Sequence, residues 1–524
     1  MRAQRFWKSP ALAAAASGIL AAGLVLGIAE LAGSFFRAAA TPLVALGATF
    51  IDFTPVWLKN LAVDTFGTSD KLALFISMGI VVAVLAAVTG YLAYRRGPVG
   101  LVLLVALGAV VAAAVLSRAG AQPLDIIPTL AGTVCGIIAL RTLVNRLPRS
   151  GTGSGARNGT QPGAGRLESH GRRSFLAVAG ITAVAAVAAG AGGRLVSGVR
   201  NTAQKTREAL SLPPAGRPAP VLPQGVQSPV AGVTPFVTPN KDFYRIDTAL
   251  AVPQVDTRNW ELRVHGMVDK EVRLSFQDLL DADLVEDYVT LTCVSNPVGG
   301  NLAGNAKWLG YPLRNVLEQA RPQAGADMVL STSVDGFSAS TPLSVLQDGR
   351  NAMLAVGMNG QALPLEHGYP VRMVVPGLYG FVSATKWVVD LEVTRFQDKT
   401  AYWTQRGWAP KGPIKTASRI EVPKSFAKVQ AGRVGIGGTA WSQHRGITKV
   451  EVQVDDGPWQ EAELAAEANT DTWRQWSFQW DAKPGDHYLR CRATDGQDGL
   501  QTEQRADPIP DGASGWQSVN VTVQ

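Results

Sequence analysis

Cysteine is rare in this sequence of 524 residues, which contains only Cys135, Cys293 and Cys491. Cys135 lies in an apolar run, and the other two lie in segments that belong to different predicted domains, so no disulfide framework is indicated. The sequence has no C-x-x-C-H haem attachment site, no iron–sulfur cysteine run and no paired spacing of a zinc site. The composition therefore favours a metal that brings most of its own ligands.

Histidine is also rare, because only 5 occur and the first 169 residues contain none. The N-terminal part therefore cannot hold a haem between two histidines. The formal net charge is +8, but much of the basic excess lies in "YRRG", "RTLVNRLPR" and "HGRRSF", beside apolar segments. This is the positive-inside pattern of a membrane protein. No basic, aromatic surface motif typical of nucleic-acid binding occurs.

Long apolar runs are abundant in the first 195 residues. Runs over 10–32, 72–94, 99–117 and 123–142 each approach the roughly 20 residues that a helix needs to cross a bilayer. The segment 33–71 is semi-polar and aromatic, which is compatible with an extracytoplasmic loop that contains an interfacial helix.

Paired arginines precede a fifth apolar run. Arg172 and Arg173 begin "RRSFL", which matches the pattern of a twin-arginine export signal. The alternative is an ordinary fifth membrane helix, and an uncleaved signal would serve as both. With a cytoplasmic N-terminus, five spans place the arginine-rich segments 95–98 and 141–173 inside. The chain after residue 195 is then extracytoplasmic.

The remainder reads as a soluble protein with two patterns. Alternating runs such as "WELRVHG" and "DYVTLTC", with short helices such as "PLRNVLEQA", predict an α+β domain. Regularly spaced runs such as "RVGIGGTAW" and "HYLRCRATDG" predict an all-β sandwich of immunoglobulin-like size. The predicted segments are a transmembrane domain of about four helices (1–145), a flexible cytoplasmic linker (146–171), a fifth transmembrane helix (172–195), a Pro-rich tether (196–235), a catalytic domain (236–412) and the β sandwich (415–524).

Cys293 stands where a predicted strand ends. Val289, Leu291 and Cys293 share one strand face, and "SNP" followed by "GGNLAGN" then forces a glycine-rich loop. The cysteine can be a small buried hydrophobe, a ligand of a soft metal or a nucleophile. A nucleophile needs a base, for which His367 in "LEHGYPVR" is the candidate.

The chain from about residue 236 to residue 524 resembles the sulfite oxidase-like molybdopterin oxidoreductases, and four motifs carry this resemblance. They are "TPNKDFYRID", "TLTCVSN", "GNAKWLGYPLRNVL" and "GMNGQALPLEHGYPVRMVVPGLYGFVSATKW", in the family's order. The resemblance implies a molybdenum–molybdopterin cofactor in which Cys293 binds the metal and a pterin dithiolene supplies two further sulfurs. The C-terminal sandwich resembles the family's dimerisation domain and implies a homodimer.

The resemblance also implies the roles of individual residues. Catalytic roles fall to Cys293, Tyr244 and Arg245, and His367 with Arg372 matches the pair that holds the pterin phosphate region. The implied cofactor-binding residues are Asn240, Tyr244, Arg245, Ser333, His367, Arg372, Ser383, Thr385 and Lys386. Trp308 is either a wall of the pocket or part of the core, and Cys491 is expected to be structural.

The sequence departs from the family where sulfite is bound. Sulfite-oxidising members carry arginines just after the cysteine motif, whereas this chain has Pro297, Val298 and Gly299 there, and only Arg245 remains. The implied reaction is a two-electron oxygen-atom transfer on sulfite or on a neutral oxo compound such as a sulfoxide. A separate cytochrome or quinone-linked protein is expected to exchange the electrons. The alternatives are a thiol-dependent enzyme that uses Cys293 and a non-catalytic membrane receptor.

Overall fold

The computed structural model describes residues 10–36, 41–54, 70–118, 121–148, 164–199, 202–249, 251–497 and 499–524. The chain forms two compact units. The first consists of residues 1–201 with 249–253, and the second of residues 202–248 with 254–524.

The first unit is helical. Its helices are α1 (Pro10–Gly33), α2 (Pro42–Phe53), α3 (Asp70–Arg95), α4 (Gly97–Leu116), α5 (Ile127–Val144) and α6 (Ala164–Val199). Five helical segments of the described chain are long and apolar enough to cross a membrane by length and composition: Pro10–Gly33, Ala73–Arg95, Gly97–Leu116, Pro123–Val144 and Arg173–Leu195. They coincide with the five apolar runs of the sequence.

Small residues let these helices approach closely. A Cβ added to Gly18 of α1 would meet the backbone oxygen of Ala86 in α3, and one added to Gly90 would meet the backbone oxygen of Ala14. Such close backbone contacts are typical of helices that pack within a bilayer, because packing rather than water exclusion holds them together.

The predicted linker over 146–171 is only partly accounted for. Helix α6 begins at Ala164, so residues 164–171 are helical, while 149–163 lie outside the described residues. The segment "AGRLESHG" contains good helix formers such as arginine, leucine and glutamate, which explains why the helix starts before the paired arginines.

The predicted tether over 196–235 is not free. Residues Thr202–Ala209 form helix α7, and the Pro-rich segment that follows packs on the second unit. Leu212 and Leu222 contact the core of this unit, and the backbone of Arg217 pairs with that of Val285 in an isolated parallel β-bridge. The isolated apolar residues of this segment lack a period, so the sequence pattern did not reveal that residues such as Leu212 and Leu222 pack against the core.

The α+β part of the second unit contains two sheets. One has the strand order β2-β1-β10-β5-β6, and the other has β3-β4-β7-β8 with β9 paired to β7. The strands are β1 (Glu261–Gly266), β2 (Val272–Ser275), β3 (Val285–Thr292), β4 (Ala303–Pro312), β5 (Met328–Ser333), β6 (Ser338–Pro342), β7 (Met353–Met358), β8 (Gln361–Ala362), β9 (Arg372–Val374) and β10 (Val388–Thr394). Three short helices connect them: α8 (Phe276–Leu280), α9 (Leu313–Ala320) and α10 (Leu343–Gln347).

The C-terminal part is all β, as predicted. Its sheets have the orders β11-β13-β17-β16 and β12-β19-β18-β14-β15. The strands are β11 (Ala417–Val422), β12 (Ala427–Val429), β13 (Gly432–Trp441), β14 (Ile447–Val454), β15 (Gln460–Glu461), β16 (Glu463–Leu464), β17 (Arg474–Ala482), β18 (Gly485–Asp495) and β19 (Gln517–Val523). Both sheets contribute to one core, in which Cys491 is fully buried and accepts a hydrogen bond from the Ser418 hydroxyl at 3.3 Å.

The C-terminal part also supports strand β3. The Nε2 group of Gln443 donates to the carbonyl oxygen of Thr290 at 2.9 Å and contacts the Thr292 hydroxyl at 3.0 Å. The backbone N–H of Trp473 donates to the Thr290 hydroxyl at 2.8 Å. The end of β3, which directly precedes Cys293, is therefore fixed by both parts of the second unit.

Candidate functional site

Cys293 lies at the first turn after β3. Its backbone N–H donates to the carbonyl oxygen of Leu302 at 2.9 Å, and the Asn296 side chain accepts from the Leu302 N–H at 2.8 Å, so the glycine-rich loop closes back on the cysteine. The side chain is only 8% exposed. Burial raises the pKa of the Cys293 thiol, and hydrogen bonds with Ser295 and the charge of Lys386 oppose this effect.

Cys293 lines a cleft whose empty space, including the solvent at its mouth, is about 830 Å³. Its wall combines a few polar side chains with many aromatic ones. The lining residues include Tyr244, Asp247, Cys293, Ser295, Ser333, Asp335, Arg372, Lys386 and the rings of Phe243, Phe337, Phe381, Trp387, Trp403 and Trp408. Five of the sequence-predicted site residues thus meet here: Tyr244, Cys293, Ser333, Arg372 and Lys386.

Arg372 begins strand β9 and is a buried cation. Its guanidinium donates to the backbone oxygen of His367 at 3.1 Å and lies 5.1 Å from the ring centroid of Trp308. Among the described residues, its hydrogen-bond acceptors are backbone carbonyls and not carboxylates. Burial lowers the pKa of Arg372 to about 10, so it stays protonated at neutral pH. A buried cation without an acidic side-chain partner is an anion-binding group.

Lys386 is the second buried cation of the cleft. Its Nζ lies 2.9 Å from the Asp247 carboxylate and donates to the backbone oxygen of Glu366 at 2.9 Å. Burial lowers the pKa of Lys386 to about 8, and the Asp247 charge opposes this shift. Gly368, at φ 112°, permits the approach of Arg372, because an added Cβ would lie 3.0 Å from the Arg372 Cβ and 3.1 Å from the Lys386 Cβ.

Arg245 does not line the cleft. Its side chain is 40% exposed and pairs with the Asp247 carboxylate at 2.8 Å. Asp247 therefore bridges Arg245 and Lys386. The sequence motif contained this aspartate, but its role depends on the approach of Lys386 from a distant segment, which spacing alone cannot show.

His367 is buried beside the cleft. Its Nε2 lies 3.1 Å from the backbone oxygen of Asn240, and its Nδ1 has no hydrogen-bond partner in the part of the chain that the structure describes. Burial lowers the pKa of His367 to about 4, and the charges of Arg372 and Lys386 add to the effect. The ring is therefore neutral at pH 7, with Nε2–H donating to Asn240 and Nδ1 left as an acceptor.

The remaining predicted residues have mainly structural contacts. The Ser383 hydroxyl donates to the backbone oxygen of Tyr379 at 2.9 Å, and the Thr385 and Ser331 hydroxyls lie 2.7 Å apart. The Asn240 side chain accepts from Asn359 Nδ2 at 2.8 Å. None of Asn240, Ser383 and Thr385 lines the cleft, and Ser333 does.

Tyr244 and Trp308 have different environments. Tyr244 lines the cleft beside Cys293, and burial raises the pKa of its hydroxyl. Trp308 is fully buried and donates its indole N–H to the Val289 carbonyl at 3.1 Å. Trp308 thus belongs to the core and supports Arg372 from behind.

The aromatic side of the cleft was missed by the sequence reasoning. Phe337 follows β5, Phe381 lies in a short 3-10 helix, and Trp403 and Trp408 come from the segment after β10. The pattern "YWTQRGW" was a signal in hindsight, because tryptophans in an irregular polar segment are rarely there for secondary structure alone.

The three positions at which sulfite-oxidising members carry arginines lie outside the lining of the cleft at Cys293. Pro297, Val298 and Gly299 line a second, smaller cavity of about 390 Å³, which the C-terminal part completes with residues such as Ser418 and Gln501. These three residues do not line the cleft at Cys293.

The sequence is similar to that of known oxidoreductases. Residues 249–403 match the family described as oxidoreductase molybdopterin binding domain. The chain is 31% identical over 318 residues to mitochondrial sulfite oxidase of Mus musculus, which covers 51% of this chain and 58% of that protein. It is 30% identical over 157 residues to the uncharacterized oxidoreductase YuiH of Bacillus subtilis (strain 168), which covers 30% of this chain and 76% of that protein.

A solved structure that resembles this chain is the sulfane dehydrogenase SoxCD from Paracoccus pantotrophus. The TM-score is 0.49 with 23% sequence identity, and the match covers 55% of this chain and 81% of that one. The chain spans little more than half the length of the mammalian sulfite oxidases that it matches, for example 56% of the human protein.

Proposed function

The chain belongs to the sulfite oxidase-like family of molybdopterin oxidoreductases, and we propose that it is a membrane-anchored enzyme that performs two-electron oxygen-atom transfer on a small substrate. Its cofactor is molybdenum bound to molybdopterin, which supplies the oxygen-accepting or oxygen-donating centre. The observation that carries the proposal is the arrangement of one buried thiol, Cys293, and two buried cations, Arg372 and Lys386, around a single cleft.

The donor set of the cleft fits such a cofactor. A thiolate is a soft ligand that suits molybdenum, and Cys293 supplies one sulfur at the end of a rigid strand. Within the described residues, no group of three or more His, Cys, Asp or Glu residues is placed to hold a metal ion. The remaining donors therefore have to arrive with the cofactor.

The polar groups of the cleft fit the rest of the cofactor. Arg372 and Lys386 would bind its anionic part. His367 does not line the cleft, so a hydrogen bond from a pterin N–H to its unpaired Nδ1 is proposed from the sequence resemblance. Because the pKa of His367 is lowered to about 4, the positive charge comes from Arg372 and Lys386 and not from the histidine. Ser333 and Tyr244 offer hydroxyls on the wall beside Cys293.

We also propose how the chain is placed in the cell. The five apolar helices, the arginine-rich segments 95–98 and 141–173, and the twin-arginine pattern at Arg172 and Arg173 support a multi-pass protein with an extracytoplasmic catalytic domain. The twin-arginine route carries folded proteins, which suits a cofactor that is inserted in the cytoplasm.

The C-terminal part and the electron partner complete the proposal. Two sheets around one core support an immunoglobulin-like sandwich. That this sandwich forms a homodimer is proposed from the sequence resemblance alone. The absence of haem and iron–sulfur motifs from the sequence supports a separate electron-transfer protein, either a cytochrome or quinone-linked.

The metal and pterin content of the purified chain tests the proposed function. We expect about one molybdenum and one pterin per wild-type chain, loss of the molybdenum in Cys293→Ser, and full content in the control Cys135→Ser, which changes a half-buried cysteine of α5. A metal-free wild-type protein whose activity is abolished by thiol alkylation would instead indicate a thiol-dependent enzyme.

A further inference from the structure

Five rings form a continuous chain along one side of the cleft, which we call the aromatic wall: Phe337, Tyr402, Trp403, Trp408 and Phe381. Successive ring centroids lie 6.0, 5.1, 6.3 and 5.8 Å apart. All except Tyr402 line the cleft. Rings at these separations support one another, so the wall is a preformed apolar surface.

The charged groups that line the cleft balance one another. Arg372 and Lys386 are opposed by Asp247 and Asp335, two cations against two carboxylates. The anionic part of the cofactor would occupy both cations. No further cation is then present among the described lining residues to bind a second anion at the metal. Burial of an oxyanion without a cation or several hydrogen-bond donors is costly.

Two further arginines lie near the cleft but do not line it. Arg245 pairs with Asp247 and does not line the cleft. The Arg406 guanidinium stacks 3.6 Å from the Tyr402 ring centroid and donates to the Tyr402 backbone oxygen at 2.8 Å, also without lining the cleft. Its position supports the back of the aromatic wall.

We propose that the aromatic wall is a specificity subsite, and that the substrates of this enzyme are neutral oxides of sulfur or nitrogen that carry an aromatic or bulky apolar substituent. The oxide group would face Cys293, and the substituent would pack against Trp403 and Trp408. This inference rests on the proposed function, because it names the substrate class of the same cleft.

The reaction with a sulfoxide balances with an external donor. The S–O bond breaks, the sulfur gains two electrons, and the oxygen leaves as water with two protons. In the assay, two equivalents of the one-electron donor reduced methyl viologen supply the electrons. In the cell, the electron-transfer partner supplies them.

The substrate arm of the test uses the full chain in detergent, loaded with molybdenum. Reduction of methyl phenyl sulfoxide and of dimethyl sulfoxide is measured with reduced methyl viologen, and oxidation of sulfite is measured with ferricyanide. We expect kcat/KM for methyl phenyl sulfoxide to exceed that for dimethyl sulfoxide by about tenfold, because the phenyl ring gains apolar contact with the wall.

The variant arm locates the subsite. Trp403→Ala is expected to reduce the ratio of the two kcat/KM values by about tenfold, mainly through KM, whereas Trp403→Phe retains most of it. Trp459→Ala is the matched control, because Trp459 packs against Trp516 in the C-terminal part, and it should leave the ratio unchanged.

Each outcome separates the inference from the function on which it rests. A molybdenum-loaded chain that oxidises sulfite but reduces neither sulfoxide would overturn the inference and leave the proposed function standing. An unchanged sulfoxide ratio in Trp403→Ala would also overturn it. A chain without molybdenum that acts on none of the three substrates would remove the proposed function itself.

Discussion

At the scale of single residues, the buried pair of Lys386 and Asp247 determines whether the cleft can keep two cations. Their side chains are only 10% and 5% exposed. Removal of one member of a buried ion pair leaves an uncompensated charge and costs several kcal/mol, whereas an exposed pair contributes little.

Asp247→Asn is therefore expected to destabilise the second unit by about 3 kcal/mol. The same change at Asp398, whose ion pair with Arg395 is 45% and 42% exposed, should cost less than about 1 kcal/mol. Thermal or urea unfolding of the two variants measures the difference, and equal shifts would show that Lys386 does not need Asp247.

The contribution of Lys386 to the stability of the fold depends on pH in a definite direction. Burial lowers the pKa of Lys386 from 10.5 to about 8, so between these values the unfolded chain binds a proton that the folded chain lacks. The contribution of Lys386 to stability therefore improves as the pH rises through this window. Loss of the Asp247 charge lowers the pKa of Lys386 further, so the deficit of Asp247→Asn should shrink as the pH rises toward about 8 and stay level between pH 8 and pH 10. A deficit that grows as the pH rises toward 8 would contradict this assignment.

The sequence resemblance named candidate site residues, whose roles stay predictions, but it could not give their arrangement. The resemblance named Cys293, Ser333, Arg372 and Lys386, and all four line one cleft. The aromatic wall was missed, because Trp403 and Trp408 reach the cleft from a segment without strand or helix periodicity. Tertiary proximity of this kind leaves no local signal.

At the scale of structural elements, strand β3 is the support of the site. Its alternating pattern predicted a strand that ends at Cys293, and the structure ends it one residue earlier, at Thr292. The sequence did not indicate that Gln443, in the C-terminal part, holds the free edge of this strand. The domain predicted for dimerisation thus also supports the strand that precedes Cys293, the proposed metal ligand.

Gln443→Ala should loosen the end of β3. The change leaves the Thr290 carbonyl oxygen without its side-chain donor in a buried site, which costs about 1–3 kcal/mol. We expect a lower unfolding temperature and reduced molybdenum content. The control is Gln460→Ala on the exposed strand β15, and identical molybdenum content in the two variants would show that Cys293 is positioned without the C-terminal part.

Segments without periodicity were the least predictable elements. The Gly/Ser-rich linker and the Pro-rich tether were both predicted from composition, yet residues 164–171 are helical and residues 202–209 form α7. Composition predicts how flexible a free chain is. It cannot predict that scattered residues such as Leu212 pack against the core of the second unit, because this depends on the tertiary structure.

At the scale of the whole molecule, orientation in the membrane decides whether the enzyme works outside the cytoplasm. A protease added from outside the cytoplasmic membrane should digest a tag placed after residue 524 and spare a tag inserted after residue 146. Replacement of Arg172 and Arg173 by lysine should protect the C-terminal tag if the twin-arginine route is used. The opposite pattern of digestion of the two tags would reverse the proposed topology.

The central claim is the bond between the Cys293 sulfur and molybdenum. X-ray absorption at the molybdenum edge counts the sulfur neighbours of the metal directly. For the wild-type chain we predict about three sulfur ligands, one from the cysteine and two from the pterin dithiolene, and for any metal retained in Cys293→Ser about two. The same sulfur count in both proteins would contradict the account.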